Sequence, residues 1–115
     1  MIDPKEFVDG LILSDIDFVT GVPDSLLKDI CAYITSSFKK ENHIISTNEG
    51  SAISFAAGYY LSNNKPALVY MQNSGLGNIV NPVMSLLHPK IYGIPALLLI
   101  GWRGEIDQEQ DIQIK

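Results

Sequence analysis

The sequence predicts a three-layer α/β/α domain organised around a mainly parallel sheet. Strand-like and helix-like runs alternate along the chain, and this alternation favours right-handed crossovers with helices on both faces of one sheet. The run Ala67–Met71 is apolar at every position, which is typical of a parallel strand covered on both faces. With 115 residues, 46% of them hydrophobic and 18% charged, the chain suits one globular domain, predicted over residues 1–104.

The first half is predicted to contain two helices and one strand. Asp3 and Pro4 open the first helix, because aspartate is a good N-cap and proline suits the first helical position. A short buried strand over residues 17–20 follows. Asp24 or Ser25 then caps the second helix, since short polar side chains can accept a hydrogen bond from the first turn.

The second half is predicted to contain three more strands, at His43–Thr47, Ala67–Met71 and Pro95–Ile100. One helix begins at Glu49, and another follows a loop at Gln72–Gly77. Pro82 is tolerable in that last helix only within its first turn. Residues 105–115 have no apolar period and are rich in Asp, Glu and Gln. We expect them to form a polar tail, or a loop leading to segments that this chain lacks.

The composition excludes several classes of function. A net charge of −5 argues against nucleic acid as a partner, because phosphate backbones need Lys and Arg. The longest apolar run, Ile94–Ile100, is interrupted by Pro95 and is far too short to span a bilayer. No charged-then-apolar leader opens the sequence, and the single Cys31 is expected to be a buried, unpaired thiol. We therefore predict a soluble cytoplasmic protein with neither a nucleic-acid nor a membrane partner.

The ligand site is predicted from the topology of the sheet. In open parallel sheets, ligands bind beyond the carboxyl ends of the strands. Four loops are expected to meet at that edge, at Gly21–Ser25, Asn48–Gly50, Gln72–Asn78 and Gly101–Glu105.

Glu49 is the strongest single candidate at this edge. It lies between a strand and a helix of very small residues, and partial burial of a carboxylate is costly unless something pairs with it. The helix has almost no polar side, so we expect it to be covered all round and to form part of an interface, with Glu49 at the edge. The alternative is a carboxylate placed there only because the helix dipole favours it.

Other residues offer weaker signals. The turn Gly75-Leu76-Gly77 could bind phosphate on helix N–H groups, but Val80 stands where a dinucleotide fingerprint needs a third glycine, and a tight connection is the alternative. Arg103, the only arginine, follows the last strand and suits a carboxylate or phosphonate, unless it is a solvated loop residue. His43 and His88 lack further ligands at metal-binding spacing, so no metal site is predicted in this chain.

Three motifs, taken in order, resemble the pyrimidine-binding domain of thiamine diphosphate-dependent 2-oxoacid decarboxylases. They are Gly21-Val22-Pro23, Asn48-Glu49-Gly50-Ser51-Ala52 with Ala56-Ala57-Gly58-Tyr59, and Ser74-Gly75-Leu76-Gly77-Asn78. The resemblance runs from about Asp17 to Glu105, and the combination is specific although each piece alone is not. Within the family, Met71–Asn78 and Gly101–Glu105 look most like phosphonopyruvate decarboxylase, with sulfopyruvate decarboxylase a close second.

The resemblance implies a fold, a cofactor and a reaction. The fold is the thiamine diphosphate-binding fold of pyrimidine-domain type, incomplete at its C-terminus. The family glutamate that matches Glu49 hydrogen-bonds N1′ of the aminopyrimidine and favours the tautomer that removes the thiazolium C2 proton, so Glu49 is the implied catalytic residue. The implied reaction converts phosphonopyruvate to phosphonoacetaldehyde and CO2, a carbon–carbon lyase step in phosphonate biosynthesis.

The resemblance also implies the residues of the site. Those assigned to the cofactor are Val22, Pro23, Glu49, Gly75 and Asn78. Those assigned to the substrate are Asp24, Ser25, Gln72, Asn73, Ser74 and Arg103. Asn73 and Ser74 stand where pyruvate decarboxylase-like relatives have histidines, and such polar groups suit an anionic head group better than a methyl group.

The chain also departs from the family in what it lacks. No Gly-Asp-Gly followed by paired asparagines occurs, so a domain or subunit outside this chain is expected to hold the diphosphate and Mg2+. We therefore expect an isolated chain without activity, a homo-oligomeric enzyme, and a small anionic 2-oxoacid as substrate. The rival hypothesis is a non-catalytic module that binds nucleotides or serves only for association.

Overall fold

The computed structural model describes residues 2–104, and the tail predicted at 105–115 lies outside the described residues. Its centre is a four-stranded sheet in the order β2-β1-β3-β4. The strands are β1 (Val19–Gly21), β2 (His43–Ile45), β3 (Ala67–Gln72) and β4 (Ala96–Gly101). Each pair of neighbours is parallel, which confirms the predicted sheet.

The first two strands differ from the prediction at their ends. β1 begins at Val19 rather than at Asp17, because the Asp17 carboxylate accepts side-chain hydrogen bonds from Tyr59 and Lys65 beside the sheet. β2 stops at Ile45 rather than at residue 47, because the chain then turns to place Asn48 at the start of a helix.

Helices cover the sheet on both sides. They are α1 (Pro4–Leu13), α2 (Lys28–Ser37), α3 (Glu49–Asn63) and α4 (Val80–Pro82). The short 3-10 segments lie at Ser25–Leu27, Lys40–Asn42 and Asn73–Ile79. α1 begins as predicted, since the Asp3 carboxylate accepts from the backbone N–H of Lys5 at 2.9 Å and of Glu6 at 3.4 Å, and Pro4 is the first helical residue.

The second helix begins later than predicted, and neither Asp24 nor Ser25 caps it. Ser25–Leu27 is a 3-10 turn, and α2 starts at Lys28. Asp24 makes no side-chain capping hydrogen bond, because its carboxylate is bound to Arg103 instead. The local sequence pattern favours Asp24 as a helix cap, but the side chain forms a tertiary contact with Arg103 instead.

The stretch after β3 is also different from the prediction. The loop was predicted at Gln72–Gly77, whereas Gln72 is the last residue of β3 and a 3-10 segment runs over Asn73–Ile79. α4 is a single turn that ends at Pro82, which confirms that this proline needs a place in the first turn. A π-helix then runs over Val83–Leu87, where the His88 N–H donates to Val83 O at 3.0 Å. Gly75 and Gly77 in the 3-10 segment are poor α-helix formers, which gives a reason why the α-helix does not begin before Val80.

The sheet carries an apolar cluster on each face. α1 and α2 cover the face that bears Leu68 and Tyr70. α3 and the 3-10 segment after β3 cover the face that bears Val69 and Met71. Alternate residues of β3 therefore meet opposite helix layers, and the three-layer architecture is confirmed. Cys31 packs against the first cluster, and burial raises the pKa of its thiol to about 11.

α3 is not covered all round by the described part of this chain. Ala52, Ile53 and Ala56 are fully buried against the sheet, whereas Phe55 is 45% and Leu61 70% exposed on the opposite side. Among residues 2–104, the helices are too short or too polar to cross a membrane.

Candidate active site

Parallel pairing brings the carboxyl ends of the strands to one edge of the sheet, and the candidate site is built there. Backbone hydrogen bonds extend the sheet past the strand ends, from Val22 N to Tyr70 O at 3.0 Å and from Ser46 N to Gly21 O at 2.9 Å. The buried hydroxyls of Thr20 and Ser46 lie 2.8 Å apart beneath this edge. The loops at this edge are therefore anchored by hydrogen bonds at the ends of the strands.

Glu49 lies at this edge as the first residue of α3. Asn48 is the N-cap, and its side-chain oxygen accepts from the backbone N–H of Ser51 at 2.9 Å. The Glu49 side chain extends to the loop after β3, where Asn78 Nδ2 donates to Glu49 Oε1 at 2.8 Å. Asn78 thereby fixes one carboxylate oxygen, while Oε2 accepts no side-chain hydrogen bond from residues 2–104.

Gly75 makes room for this carboxylate. A Cβ atom at position 75 would lie 2.5 Å from Glu49 Cγ and Cδ and 2.6 Å from Oε2. Gly77, two residues later in the same segment, would meet nothing within 4 Å. The Gly75-Leu76-Gly77 turn is therefore not merely a tight connection, because its first glycine is required by the position of Glu49.

Arg103 and Asp24 form a second polar group at the same edge. Arg103 Nε donates to Asp24 Oδ1 at 3.2 Å, and only 10% of the arginine side chain and 3% of the aspartate side chain are exposed. The alternative of a solvated loop arginine is therefore wrong. The second oxygen, Asp24 Oδ2, is buried without a hydrogen-bond partner among residues 2–104.

Asn73 joins the loops after β3 and β4. Its Nδ2 donates to Arg103 O at 2.8 Å, and its Oδ1 accepts from Arg103 N at 3.1 Å. The amide predicted to face the substrate is thus used to hold the Arg103 backbone. Gln72, the last residue of β3, keeps Nε2 buried without a partner in the described part of the chain.

The other residues assigned from the sequence lie in the loops at the same edge and, among residues 2–104, make no side-chain hydrogen bond to Glu49. Pro23, Ser25 and Ser74 are exposed, and Val22 is half-buried. Pro23, Asp24 and Ser25 line a small pocket of about 370 Å³ together with Lys28 and Cys31. The structure therefore brings Glu49, Gly75 and Asn78 into one cluster, and Asp24, Asn73 and Arg103 into another.

Gly101 is required by the geometry of this site, although no role was predicted for it from the sequence. A side chain there would overlap Asp24 Oδ2, so glycine is needed for the carboxylate to reach Arg103. The available signal was a glycine at the end of an otherwise apolar strand, which marks a close approach of another group.

A groove beside Glu49 runs between α3 and the segment that contains α4. It encloses about 810 Å³ and is lined by Asn48, Gly50, Ser51, Ser54, Phe55, Asn81, Pro82, Ser85 and Leu86. Chemically, the edge offers a carboxylate with one oxygen fixed and the other able to accept from a donor outside the chain. It also offers an arginine held by a buried acid.

Comparisons with known proteins agree with this architecture. Residues 5–114 match the family described as thiamine pyrophosphate enzyme, N-terminal TPP binding domain. The solved structure of benzoylformate decarboxylase from Polynucleobacter necessarius superposes with a TM-score of 0.74 and 25% identity, covering 91% of this chain and 19% of that one.

Two relatives are similar in sequence. The sulfopyruvate decarboxylase subunit alpha of Methanococcus maripaludis is 43% identical over 105 residues, which cover 91% of this chain and 60% of the relative. The phosphonopyruvate decarboxylase of Streptomyces viridochromogenes is 36% identical over 113 residues, which cover 98% of this chain and 28% of the relative. Between these two relatives, the order of similarity is the reverse of the one that the motifs suggested.

Proposed function

The chain belongs to the family of thiamine pyrophosphate enzyme N-terminal domains, and on that basis we propose that it is the pyrimidine-binding part of a 2-oxoacid decarboxylase. The chain spans 60% of its sulfopyruvate relative and 28% of its phosphonopyruvate relative, so the activity is proposed for an assembly larger than this chain. The pyrimidine-binding domain is proposed to span residues 1–104, as predicted from the sequence.

The observation that carries the proposal is the environment of the Glu49 carboxylate. Asn78 fixes Oε1, and Gly75 leaves the space next to Oε2 without a side chain. An aminopyrimidine presents a ring nitrogen that can share a proton with a carboxylate, and Oε2 accepts no side-chain hydrogen bond from residues 2–104. The residues present therefore fit the pyrimidine half of thiamine diphosphate.

With the cofactor bound, Glu49 would share a proton with that ring nitrogen, and Asn78, which donates to Oε1, would hold the carboxylate in place. Thiamine diphosphate, when bound, supplies the electron sink that accepts the electron pair left behind by departing CO2. Gly75 allows the Glu49 side chain to lie directly against the backbone of the segment after β3. Val22 and Pro23, on the loop after β1, are proposed to border the same ring.

The proposed substrate is a 2-oxoacid that carries a second, strongly acidic group. Sulfopyruvate is the first candidate, because identity to the sulfopyruvate decarboxylase subunit is 43%, against 36% for the phosphonopyruvate decarboxylase. Phosphonopyruvate, an intermediate of phosphonate biosynthesis, is the second candidate. The motif around Gly101–Glu105 resembles the corresponding motif of enzymes that act on this compound. Ser25, Gln72, Ser74 and Arg103 remain proposed to contact the substrate, whereas Asp24 and Asn73 are bonded to Arg103 instead.

A second domain or subunit is proposed to hold the diphosphate and Mg2+. The Methanococcus maripaludis relative supports this proposal, because its name describes it as one subunit of a decarboxylase. The absence from this sequence of a Gly-Asp-Gly motif with paired asparagines supports it as well. The single cysteine is consistent with a reducing compartment, so the proposed location is the cytoplasm.

The test is a CO2-release assay of the chain assembled with its diphosphate-binding partner, thiamine diphosphate and Mg2+. Sulfopyruvate, phosphonopyruvate and pyruvate are compared. Glu49→Gln is expected to reduce kcat by roughly 100- to 10,000-fold, because an amide cannot share a proton as the acid does. Glu41→Gln, at an exposed acid in the 3-10 turn before β2, is the matched control and should keep full activity.

Near-normal turnover by Glu49→Gln, or no decarboxylation by the assembled wild-type protein, would contradict the proposal. The rival module predicts saturable binding of ATP or ADP to the chain and no dependence on thiamine diphosphate in any complex. A calorimetric titration with each nucleotide and with thiamine diphosphate plus Mg2+ separates the two hypotheses.

A further inference from the structure

The contact between Asn73 and Arg103 fixes one residue of the loop after β4 at both of its backbone polar groups. Arg103 N donates to Asn73 Oδ1 at 3.1 Å, and Arg103 O accepts from Asn73 Nδ2 at 2.8 Å. Asn73 directly follows β3, and Arg103 lies two residues beyond β4. The amide therefore continues the pairing of the two strands by one more step and sets the direction in which the Arg103 side chain leaves the backbone.

The Arg103 guanidinium is held as well as its backbone. Asp24 Oδ1 accepts from Nε, and the pair lies almost wholly out of water, with 10% of the arginine and 3% of the aspartate side chain exposed. A guanidinium has five N–H donors. The four on the terminal nitrogens have no side-chain or backbone acceptor among residues 2–104. The side that points away from Nε is thus equipped to bind an acceptor from outside the chain.

The cost of this arrangement calls for an explanation. A buried ion pair is weak support for stability, because apolar residues of similar volume often serve as well or better. Here the pair also leaves Asp24 Oδ2 without a partner in the described residues and forbids any side chain at Gly101. A group that is fixed at such expense, at the edge where parallel sheets bind ligands, is better explained by recognition than by folding.

Gln72 adds a second unused donor at the same strand ends. Its Nε2 is buried without a hydrogen-bond partner among residues 2–104, and Gln72 pairs in register with Gly101. A buried donor left unpaired costs roughly 1–3 kcal/mol. Gln72 Nε2 is thus a second donor at the strand ends that residues 2–104 leave without an acceptor.

We propose that Asp24 and Asn73 are positioning residues that hold Arg103 so that its terminal nitrogens bind the sulfonate or phosphonate head group of the substrate. A tetrahedral oxyanion offers two oxygens to the planar guanidinium fork, which is the geometry that arginine binds best. The inference rests on the proposed function and adds the basis of its specificity. The chain has a net charge of −5 and a single arginine, so the Arg103 guanidinium is the one group in this sequence that can bind an anionic head group with two parallel N–H donors.

The test compares substrates that differ only in the head group, using the assembled enzyme. Arg103→Gln should lower kcat/KM for sulfopyruvate and phosphonopyruvate roughly 10- to 100-fold, mainly through KM, because charge-assisted hydrogen bonds are lost. The ratio of kcat/KM for sulfopyruvate to kcat/KM for pyruvate, which lacks the head group, should therefore fall by roughly 10-fold or more. Asn73→Ala should shift the same ratio in the same direction by a smaller factor, since Arg103 remains but is loosely held. Lys90→Gln removes an exposed positive charge and should leave the ratio unchanged.

A binding measurement decides the inference independently of turnover. Sulfoacetate and propionate are titrated calorimetrically into the assembled wild-type protein and into Arg103→Gln. Sulfoacetate should bind the wild type and lose affinity in the variant, whereas propionate should bind neither measurably. If Arg103→Gln does not fold, Arg103→Lys keeps the charge without the fork and should show an intermediate loss.

The outcomes separate the two proposals. A wild-type enzyme that decarboxylates 2-oxoacids, with an unchanged substrate ratio in both Arg103 variants, overturns the inference and leaves the proposed function intact. Sulfoacetate that fails to bind the wild type, or binds equally well to Arg103→Gln, also overturns it. Absence of decarboxylation with Arg103-dependent sulfoacetate binding contradicts the proposed function and supports the head-group site.

Discussion

Gly75 and Glu49 are in such close contact that a Cβ atom on the glycine would lie 2.5 Å from the Cγ and Cδ atoms of the glutamate. The two residues come from different elements, the 3-10 segment after β3 and the start of α3. The position of the proposed catalytic carboxylate therefore depends on the absence of a single methyl group elsewhere in the chain.

This contact predicts that Gly75→Ala disables the enzyme while Gly77→Ala does not. The added methyl at position 75 must displace the Glu49 side chain, and a displacement of about 1 Å can cost roughly 100-fold in turnover. Position 77 is open, so alanine there should be tolerated. The measurement is kcat in the assembled enzyme, with circular dichroism to verify folding. Equal activity of the two variants would show that the contact does not matter for function.

The polar cluster at the opposite edge of the sheet predicts acid-sensitive stability. Tyr59 Oη donates to Asp17 Oδ1, and Lys65 Nζ donates to Asp17 Oδ2 at 3.1 Å. The hydrogen bond from Tyr59 is the main reason that the pKa of Asp17 lies below its usual 3.8. A lowered carboxyl pKa stabilises the fold above about pH 4, and that stabilisation is lost as the pH falls through the native pKa.

Tyr59→Phe should therefore destabilise the protein at pH 7 by about 1 kcal/mol, a modest value because Asp17 is half-exposed. The difference from wild type should shrink as the pH falls from 7 toward 3, because protonation of the Asp17 carboxyl removes the charge that the Tyr59 hydroxyl stabilises. Urea unfolding at the two pH values measures this. Tyr92→Phe, at a tyrosine that is 69% exposed, is the control and should match wild type at both. A difference for Tyr59→Phe that is independent of pH would argue against the role of Asp17.

His43 predicts a second pH effect, closer to neutrality. Its Nε2 lies 2.8 Å from the hydroxyl of the buried Tyr70, and burial lowers the pKa of His43 below 6.5. Because the unfolded chain then takes up a proton at a higher pH than the native one, stability should fall as the pH drops through about 6.5. Urea unfolding at pH 7.5 and 5.5 should show this loss in wild type and in His88→Gln, but a smaller loss in His43→Gln. The same loss in all three proteins would mean that His43 is not its source.

The sequence was sufficient to predict the layers, the parallel sheet and the edge that carries the site. Each of these depends on patterns that a single segment carries, such as the uniformly apolar Ala67–Met71 and the Asp3-Pro4 start signal. The resemblance to the family implied that Glu49, Gly75 and Asn78 belong to one cofactor site, and in the structure Gly75 and Asn78 both contact Glu49.

The details that the sequence did not reveal are contacts between distant segments. Asp24 suits a helix cap locally, yet it binds Arg103, which is 79 residues further along the chain. Asn73 was assigned to the substrate as a free amide, yet it is used to hold the Arg103 backbone. Local patterns cannot show which of two possible partners a polar side chain takes when the second partner lies on another strand.

The uncovered side of α3 leads to the last prediction, which concerns assembly. Phe55 is 45% exposed on this helix and lines the groove next to Glu49, and Leu61 is 70% exposed one and a half turns further on. An apolar helix side that flanks a proposed active site is typical of an interface with another subunit or domain. Neither residue packs into the two clusters of the sheet, so changing them should leave the fold intact.

Phe55→Glu should accordingly weaken association with the diphosphate-binding partner by roughly 10-fold or more, because it places a charge in an apolar contact. Leu13→Glu, at a residue that is 88% exposed at the end of α1, introduces the same charge away from α3 and should associate like wild type. Sedimentation velocity over a range of concentrations gives the dissociation constants of the three proteins. Equal constants for Phe55→Glu and Leu13→Glu would place the interface elsewhere. Loss of association by Phe55→Glu alone would place it along α3, and the carboxylate of Glu49 would then lie at the boundary between the two partners.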